Sequence, residues 1–348
     1  MDHTKIIFDF ETIKGYEPIY EQDVIDTGSK IFKNCRYRDG VLKCLHNQFK
    51  HIKADHYDIV YSQNGYDAAP QMLFAAILGV KRRIAHSHVA NSPESIARKL
   101  RRKIFGKLVR LCATDLLACS KEAAVWAYGK KPPEGELYHI INNAIDLNLY
   151  VFDADKRADI RTGFSLDNNL VLGCVGRFSY QKNYSFLIDI FKSICQLKSN
   201  AVLVLIGDGE LMPEIRGKVE RFGLQEKVHF WGARTDVYHL LNAFDVFVLP
   251  SNYEGFGIVY VEAQAMGLPC YGSKEGVPLA AKVSDLMHYL SLSDSSETWA
   301  KEILTGCSST FERRDTHDEL VEAGFDIDVE ARKFEHFLLN QTSNSAQR

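Results

Sequence analysis

Apolar residues fall into two rhythms along the chain: short runs rich in β-branched and aromatic residues, and longer stretches where apolar positions recur every three or four residues. The first marks strands buried on both faces and the second amphipathic helices, so their alternation predicts βα units around parallel sheets. Strands are predicted at residues 5–10, 30–33, 58–62, 83–87, 115–119 and 137–141 in the first half. In the second half they fall at 169–175, 201–206, 227–231, 245–249, 268–271 and 286–290, with helices between them, among them 183–198, 210–222 and 237–243. The fold class is α/β, with one open sheet in each half.

The halves meet near residues 143–152, where an apolar strand ends in Asn-Asn and no Gly/Ser-rich or Pro-rich linker follows. Residues 1–150 and 151–340 are therefore expected to form two domains that face a cleft. In open α/β sheets ligands sit beyond the carboxyl ends of the strands, so that cleft is the expected place for chemistry.

At 348 residues the chain has room for two cores. Its 46% hydrophobic and 25% charged residues argue against disordered and fibrous classes. A net charge of -3, from 42 basic and 45 acidic residues, gives no overall attraction to nucleic acid, so any charged partner must use a local patch. The longest apolar runs, 202–206 and 246–249, fall short of the ~20 residues of a membrane-spanning helix. The N-terminus shows no basic region followed by an apolar stretch, and a cytoplasmic location is expected. The 8 cysteines include no Cys-x-x-Cys pair and no zinc spacing, and are expected to be free thiols of a reducing compartment.

Two segments carry chemistry. In residues 245–270 a strand ends at Pro250, a loop carries Glu254, Gly255, Phe256 and Gly257, and a helix is predicted from Ile258 through Met266. Glycines there let backbone amides approach a ligand, and the helix N-terminus favours a phosphate or an oxygen-rich sugar. Glu262 lies about one turn into that helix and leans back toward its start, so two carboxylates could accept hydroxyls of one ligand. In residues 170–183 a buried strand leads into Gly176-Arg177 and then Lys182, two cations that can converge on a diphosphate. Each segment has a plain alternative: solvated carboxylates near a helix start, and two surface cations near a turn.

Taken together these segments resemble the nucleotide-sugar glycosyltransferases of the GT-B fold, specifically the family 4 retaining enzymes with their E-x7-E pair, here Glu254 and Glu262. Similar too are Gly176-Arg177 with Lys182, the Gly-Asp-Gly turn at 207–209, NNAID at 142–146, ACSKEAAVWAYG from Ala118 and RIAHSH from Arg83. The likeness runs from about residue 5 to 340 and is strongest to enzymes that build capsular or exopolysaccharide.

The resemblance implies two Rossmann-like domains, the last helix returning to the first, and transfer of a hexose-type sugar from a nucleotide-sugar, by family habit a UDP-sugar. The acceptor would be a glycan or lipid-linked sugar, with no metal or other cofactor. Arg177 and Lys182 would hold the donor diphosphate, Glu262 the ribose, and Glu254 the hydroxyls of the transferred sugar. The backbone at Gly255, Phe256 and Gly257 would face the donor, with Gly207 and Gly232 near the nucleotide. His86 would lie by the reacting sugar, a role that His88 could take instead, and a structural histidine stays an alternative. Two Asp-x-Asp triplets, Asp153/Asp155 and Asp326/Asp328, follow no buried strand and read as helix-start acids rather than metal ligands.

Two features modify this picture. Residues 93–111 form a basic amphipathic helix that could lie on an anionic membrane, or pack its apolar stripe on the sheet and leave its cations solvated. Aromatic residues do not interleave with its cations apart from Phe105, so nucleic acid is not the expected partner. Family members also place a strand, a glycine-rich turn and a helix ahead of the segment that resembles residues 5–10, and no such unit is visible here. The N-terminal domain is therefore expected to lack one βα unit, with its sheet split where the central strand would stand. That leaves two readings: an active transferase, or a truncated, catalytically silent donor-binding or scaffold protein.

Overall fold

The alternating pattern is realised as parallel sheets with helices between the strands. The computed structural model describes residues 5–13, 21–90, 94–129, 138–307 and 312–344. The chain divides into two compact units, one of Met1–His88, Pro93–Ile141 and Asp328–Arg348, the other of Val89–Ser92 and Asn142–Ile327.

The second unit holds one six-stranded sheet of β7 (Leu170–Val175), β8 (Ala201–Ile206), β9 (Val228–Gly232), β10 (Val246–Leu249), β11 (Cys270–Ser273) and β12 (Met287–Leu290). Its strand order is β12-β11-β10-β7-β8-β9, every pair parallel. This is the doubly wound order, and its direction reverses between β7 and β10. Every residue of β8 and of β10 is buried, as the apolar runs require, and Phe178, Phe191, Phe244, Phe247 and Trp299 fill the core. NNAID has a structural role here: the Asn142 amide donates to the Ala323 and Gly324 carbonyls at 3.0 and 3.2 Å, and Ile145 forms a parallel bridge with Asp326. Asp153 caps the helix Ala154–Gly163 by accepting from the Asp155 and Lys156 amides at 3.0 Å each.

The first unit has its strands in two pieces. Among the described residues β1 (Phe10–Ile13) and β2 (Ile31–Asn34) pair only with each other, while β3 (Ile59–Ser62), β4 (Arg82–Ser87), β5 (Asp115–Ala118) and β6 (Tyr138–Ile140) form a four-stranded parallel sheet in that order. The predicted strand at 5–10 is corrected to Phe10–Ile13. Ahead of it, Asp9 accepts from the Lys30 amide at 2.8 Å and the Tyr57 hydroxyl at 2.8 Å, so a side chain takes the place of a ladder bond. Ile6 and Phe8 pack instead on the cluster of Ile84, Leu117 and Leu338. The last helix, Ile327–Asn344, joins this unit through Arg82, which pairs with Asp115 at 3.2 Å and donates to the Phe337 and Leu338 carbonyls at 2.7 and 2.8 Å.

The cysteine expectation is also corrected. Cys35 and Cys44 are joined by a disulfide, because the turn after β2 brings their Cα atoms to 5.4 Å; the other six are free thiols.

Candidate functional site

The second unit's strand order puts the loops after β7 and β10 on the two sides of the reversal point, where side chains from both can converge. Residues 176–182 follow β7, and 251–257 follow β10. The loops are stitched together: the Asn252 amide donates to the Gln181 carbonyl at 2.8 Å, and its side chain to the Tyr180 carbonyl at 2.6 Å.

Glu254 sits at the centre of this junction, only 4% exposed. Its Oε1 accepts from Lys182 Nζ at 2.7 Å and from the Ser251 hydroxyl at 2.7 Å, and its Oε2 from the Gln181 amide at 2.9 Å. A carboxylate accepts about four hydrogen bonds, so room for roughly one more donor is left. Lys182 reaches Glu254 across Gly176, where a Cβ would lie 3.3 Å from Lys182 Cε and crowd its path.

The helix Ile258–Ala265 begins at Gly257, whose φ of 87° is left-handed and suits glycine. Glu262, one turn in, is partly buried, and burial raises its pKa above the usual carboxylate value of 4.5. The Tyr150 hydroxyl is hydrogen-bonded to Glu262 and, with Lys182, opposes that rise. Lys182 thus pairs with Glu254 and lies near enough to Glu262 to act on its charge.

Gly207 is fixed by packing as well as conformation. Its φ is 139°, and a Cβ would stand 2.0 Å from the Gly176 carbonyl oxygen. The Gly176 amide donates to the Ile206 carbonyl and the Gly207 amide to the Gly232 carbonyl, so the ends of β7, β8 and β9 form one backbone platform. Gly232 has a left-handed φ of 72°.

One predicted residue sits differently, and two neighbours of the site are held by packing or an ion pair. Arg177 does not converge with Lys182: its side chain is 69% exposed and pairs with Glu210 at 3.1 Å. Phe256 is buried against Phe325, ring centroids 5.4 Å apart, so it can offer a ligand its backbone but not its ring. Arg234, beside Gly232, is tied to Asp236 at 2.6 Å. Tyr150, Ser251 and Gln181 were not found from sequence, since each acts by holding a glutamate and has no spacing of its own.

His86 belongs to the first unit, near the end of β4, and is buried. Its Nδ1 lies 2.6 Å from the Tyr61 hydroxyl on β3, and its ring lies beside that of His88, centroids 4.0 Å apart and planes tilted by 37°. Burial, aided by His88, lowers its pKa to about 3, so the imidazole is neutral at ordinary pH. In the tautomer where the Tyr61 hydroxyl donates to Nδ1, the ring proton sits on Nε2; in either tautomer Nε2 finds no hydrogen-bond partner among the described residues.

Comparison with known proteins shows the family and the fold of the chain. Residues 155–317 match the family model described as glycosyl transferases group 1. The putative glycosyltransferase EpsF of Bacillus subtilis (strain 168) is 31% identical over 334 residues, 94% of this chain and 86% of that protein. The UDP-Gal:alpha-D-GlcNAc-diphosphoundecaprenol alpha-1,3-galactosyltransferase of Escherichia coli is 29% identical over 237 residues, 66% of this chain and 61% of that one. Among solved structures, Anabaena Alr3699/HepE in complex with UDP superposes with a TM-score of 0.76 at 22% identity, covering 94% of this chain and 91% of that one, which shows the GT-B fold. With the family model on the second unit and a 31% identical relative running through both, the chain belongs to the group 1 glycosyl transferases.

Proposed function

We propose that this glycosyltransferase moves a hexose-type sugar, with retention of its anomeric configuration, from a UDP-sugar to a glycan or lipid-linked acceptor in cell-surface polysaccharide synthesis, working from the cytoplasmic side. The observation that carries this is the buried Glu254 carboxylate, already held by Lys182, Ser251 and Gln181 and keeping room for about one sugar hydroxyl. A carboxylate engaged by three donors is a poor nucleophile and a good positioning group. Departure of the diphosphate on the same face as the incoming acceptor, through an oxocarbenium-like state, then needs stabilised leaving-group oxygens rather than an enzymic nucleophile. Lys182 keeps two of its three N–H donors for that diphosphate, and backbone amides at Gly255 and Gly257 complete the cradle. Arg177 would join them only by leaving Glu210, a pair exposed enough for its loss to cost little. Glu262 would accept the ribose hydroxyls, and Gly207 and Gly232 would border the base. His86 would present its Nε2–H to the reacting sugar, and neither a metal nor another cofactor is required. UDP is named because the E. coli relative uses UDP-Gal and the Anabaena structure contains UDP.

The divided sheet of the first unit favours a second reading, a chain that binds donor without turning it over. Both are tested by thermal shift with UDP, ADP and GDP, followed by release of UDP from UDP-hexoses with and without polyprenyl-diphosphate-linked acceptors, and NMR assignment of the product anomer. Selective stabilisation by UDP and release of UDP with a retained anomer are expected. Stabilisation without release in any combination selects the silent reading, and no response to UDP removes the donor assignment.

A further inference from the structure

The helix Ile96–Cys112 carries seven Lys and Arg residues and no acidic one. One face turns inward: Gly106 and Val109 are buried, and a Cβ on Gly106 would stand 2.6 Å from the Ala127 carbonyl oxygen. Arg102 lies on that side too, bonded to Glu94 at 2.9 Å and to the Trp126 carbonyl at 2.7 Å. On a helix packed this way the outward face is ordinarily polar. Here it carries Ile96, 90% exposed, Leu100, 58%, Ile104, 56%, and Leu111, 73%. Their spacing puts them on one stripe, and Lys99, Lys103 and Lys107 are exposed along its flank. The apolar stripe is therefore not spent on the sheet. Among the described residues no helix is long and apolar enough to cross a membrane.

We propose that this face seats the protein on an anionic bilayer surface, the four aliphatic side chains entering the headgroup boundary and the lysines meeting lipid phosphates. A second copy of the chain could also cover the stripe, but it would oppose two cationic faces with no acid on either helix, and like charges across an interface are costly. Arg101 and Arg102 contribute less, because Asp67 and Glu94 already pair with them. The proposal goes beyond the transfer reaction and stands on this helix alone, so membrane binding and transfer can fail separately.

The test is co-sedimentation of the full chain with vesicles of phosphatidylcholine alone and of phosphatidylcholine with about a third phosphatidylglycerol. Binding at least about tenfold stronger to the anionic vesicles is expected, weakening as salt is raised. L100Q/I104Q and, separately, K99Q/K103Q/K107Q are each expected to lose about tenfold or more of that binding, with circular dichroism and melting unchanged because every substituted side chain is exposed. Equal binding to both vesicle types, or anionic binding unchanged in both variants, overturns the proposal. A solution dimer dispersed by L100Q/I104Q, with no vesicle binding, assigns the stripe to a second copy and overturns it too.

Discussion

Lys182 and Glu254 form a buried pair, 14% and 4% exposed in their side chains, and a buried pair behaves differently from the surface cation that a loop sequence suggests. Removing one member strands the other away from water. Lys182→Ala is therefore expected to cost about 3 kcal/mol of stability as well as most transfer activity. Adding Glu254→Gln should recover most of the melting temperature, since a neutral amide tolerates the site, while transfer stays lost; a double variant no more stable than the single one would show that the pair does not hold the loops. Glu262 gives a pH prediction whose sign follows from burial. Its pKa is raised above 4.5, so the carboxylate form is the costly one in the folded chain and its destabilising effect is relieved as pH falls through the raised value. Ribose hydroxyls need that carboxylate as acceptor, so UDP affinity should drop on acidification from a higher pH than an ordinary glutamate would set. Calorimetric titrations should show this slope in the parent and a flat, weaker profile in Glu262→Gln. The E-x7-E spacing made both acids legible in the sequence, because a strand end followed by a helix start fixes where they point. Their holders, Tyr150 and Gln181, were not, because hydrogen bonds across loops leave no periodicity.

Elements were more legible than residues wherever burial was complete. β8 was predicted at its observed limits because all six of its residues face the core, and the helix at Ile258 was placed by its glycine start. The N-terminal strand was misplaced because two polar groups, on Asp9 and Tyr57, interrupt the ladder inside an apolar run. The same dependence on context makes Gly207 a sharp test of how the strand ends carry the site. Alanine there would drive a Cβ to 2.0 Å from the Gly176 carbonyl oxygen in a left-handed conformation, so β7 and β8 must part at the loop that holds Lys182. Gly207→Ala is expected to destabilise the chain by about 2–3 kcal/mol and to weaken UDP binding at least tenfold. Gly223→Ala is the matched control: its φ is 67°, yet nothing lies within 4 Å of the added carbon, so it pays the conformational cost without the clash. Equal UDP affinity in the two variants would show that close packing of the strand ends does not shape the donor site.

Across the whole molecule the two units differ in how their sheets are finished. The second has six strands in one ladder over a large aromatic core; the first divides its strands two and four, and leans on Arg82 to hold the last helix. Strands with unpaired edges open at lower free energy than central ones, so amide exchange should be fastest in β1 and β2 and slowest in β7 and β8. Donor binding adds a second contrast. A ligand that binds only the folded state stabilises it by RT ln(1 + [L]/Kd), about 2.7 kcal/mol at a hundredfold excess over Kd, and the effect reaches only what unfolds together with the site. Every donor contact proposed apart from His86 comes from the second unit, so UDP, which lacks the sugar, should slow exchange in β7, β8 and β10 and leave β1 and β2 unchanged. Hydrogen exchange with and without UDP reads both contrasts in one experiment. Protection that appears first in β1 and β2 would move the nucleotide to the other unit, whereas equal protection everywhere would mean that the chain opens as a single cooperative body and that its divided sheet is no weaker than the ladder of six.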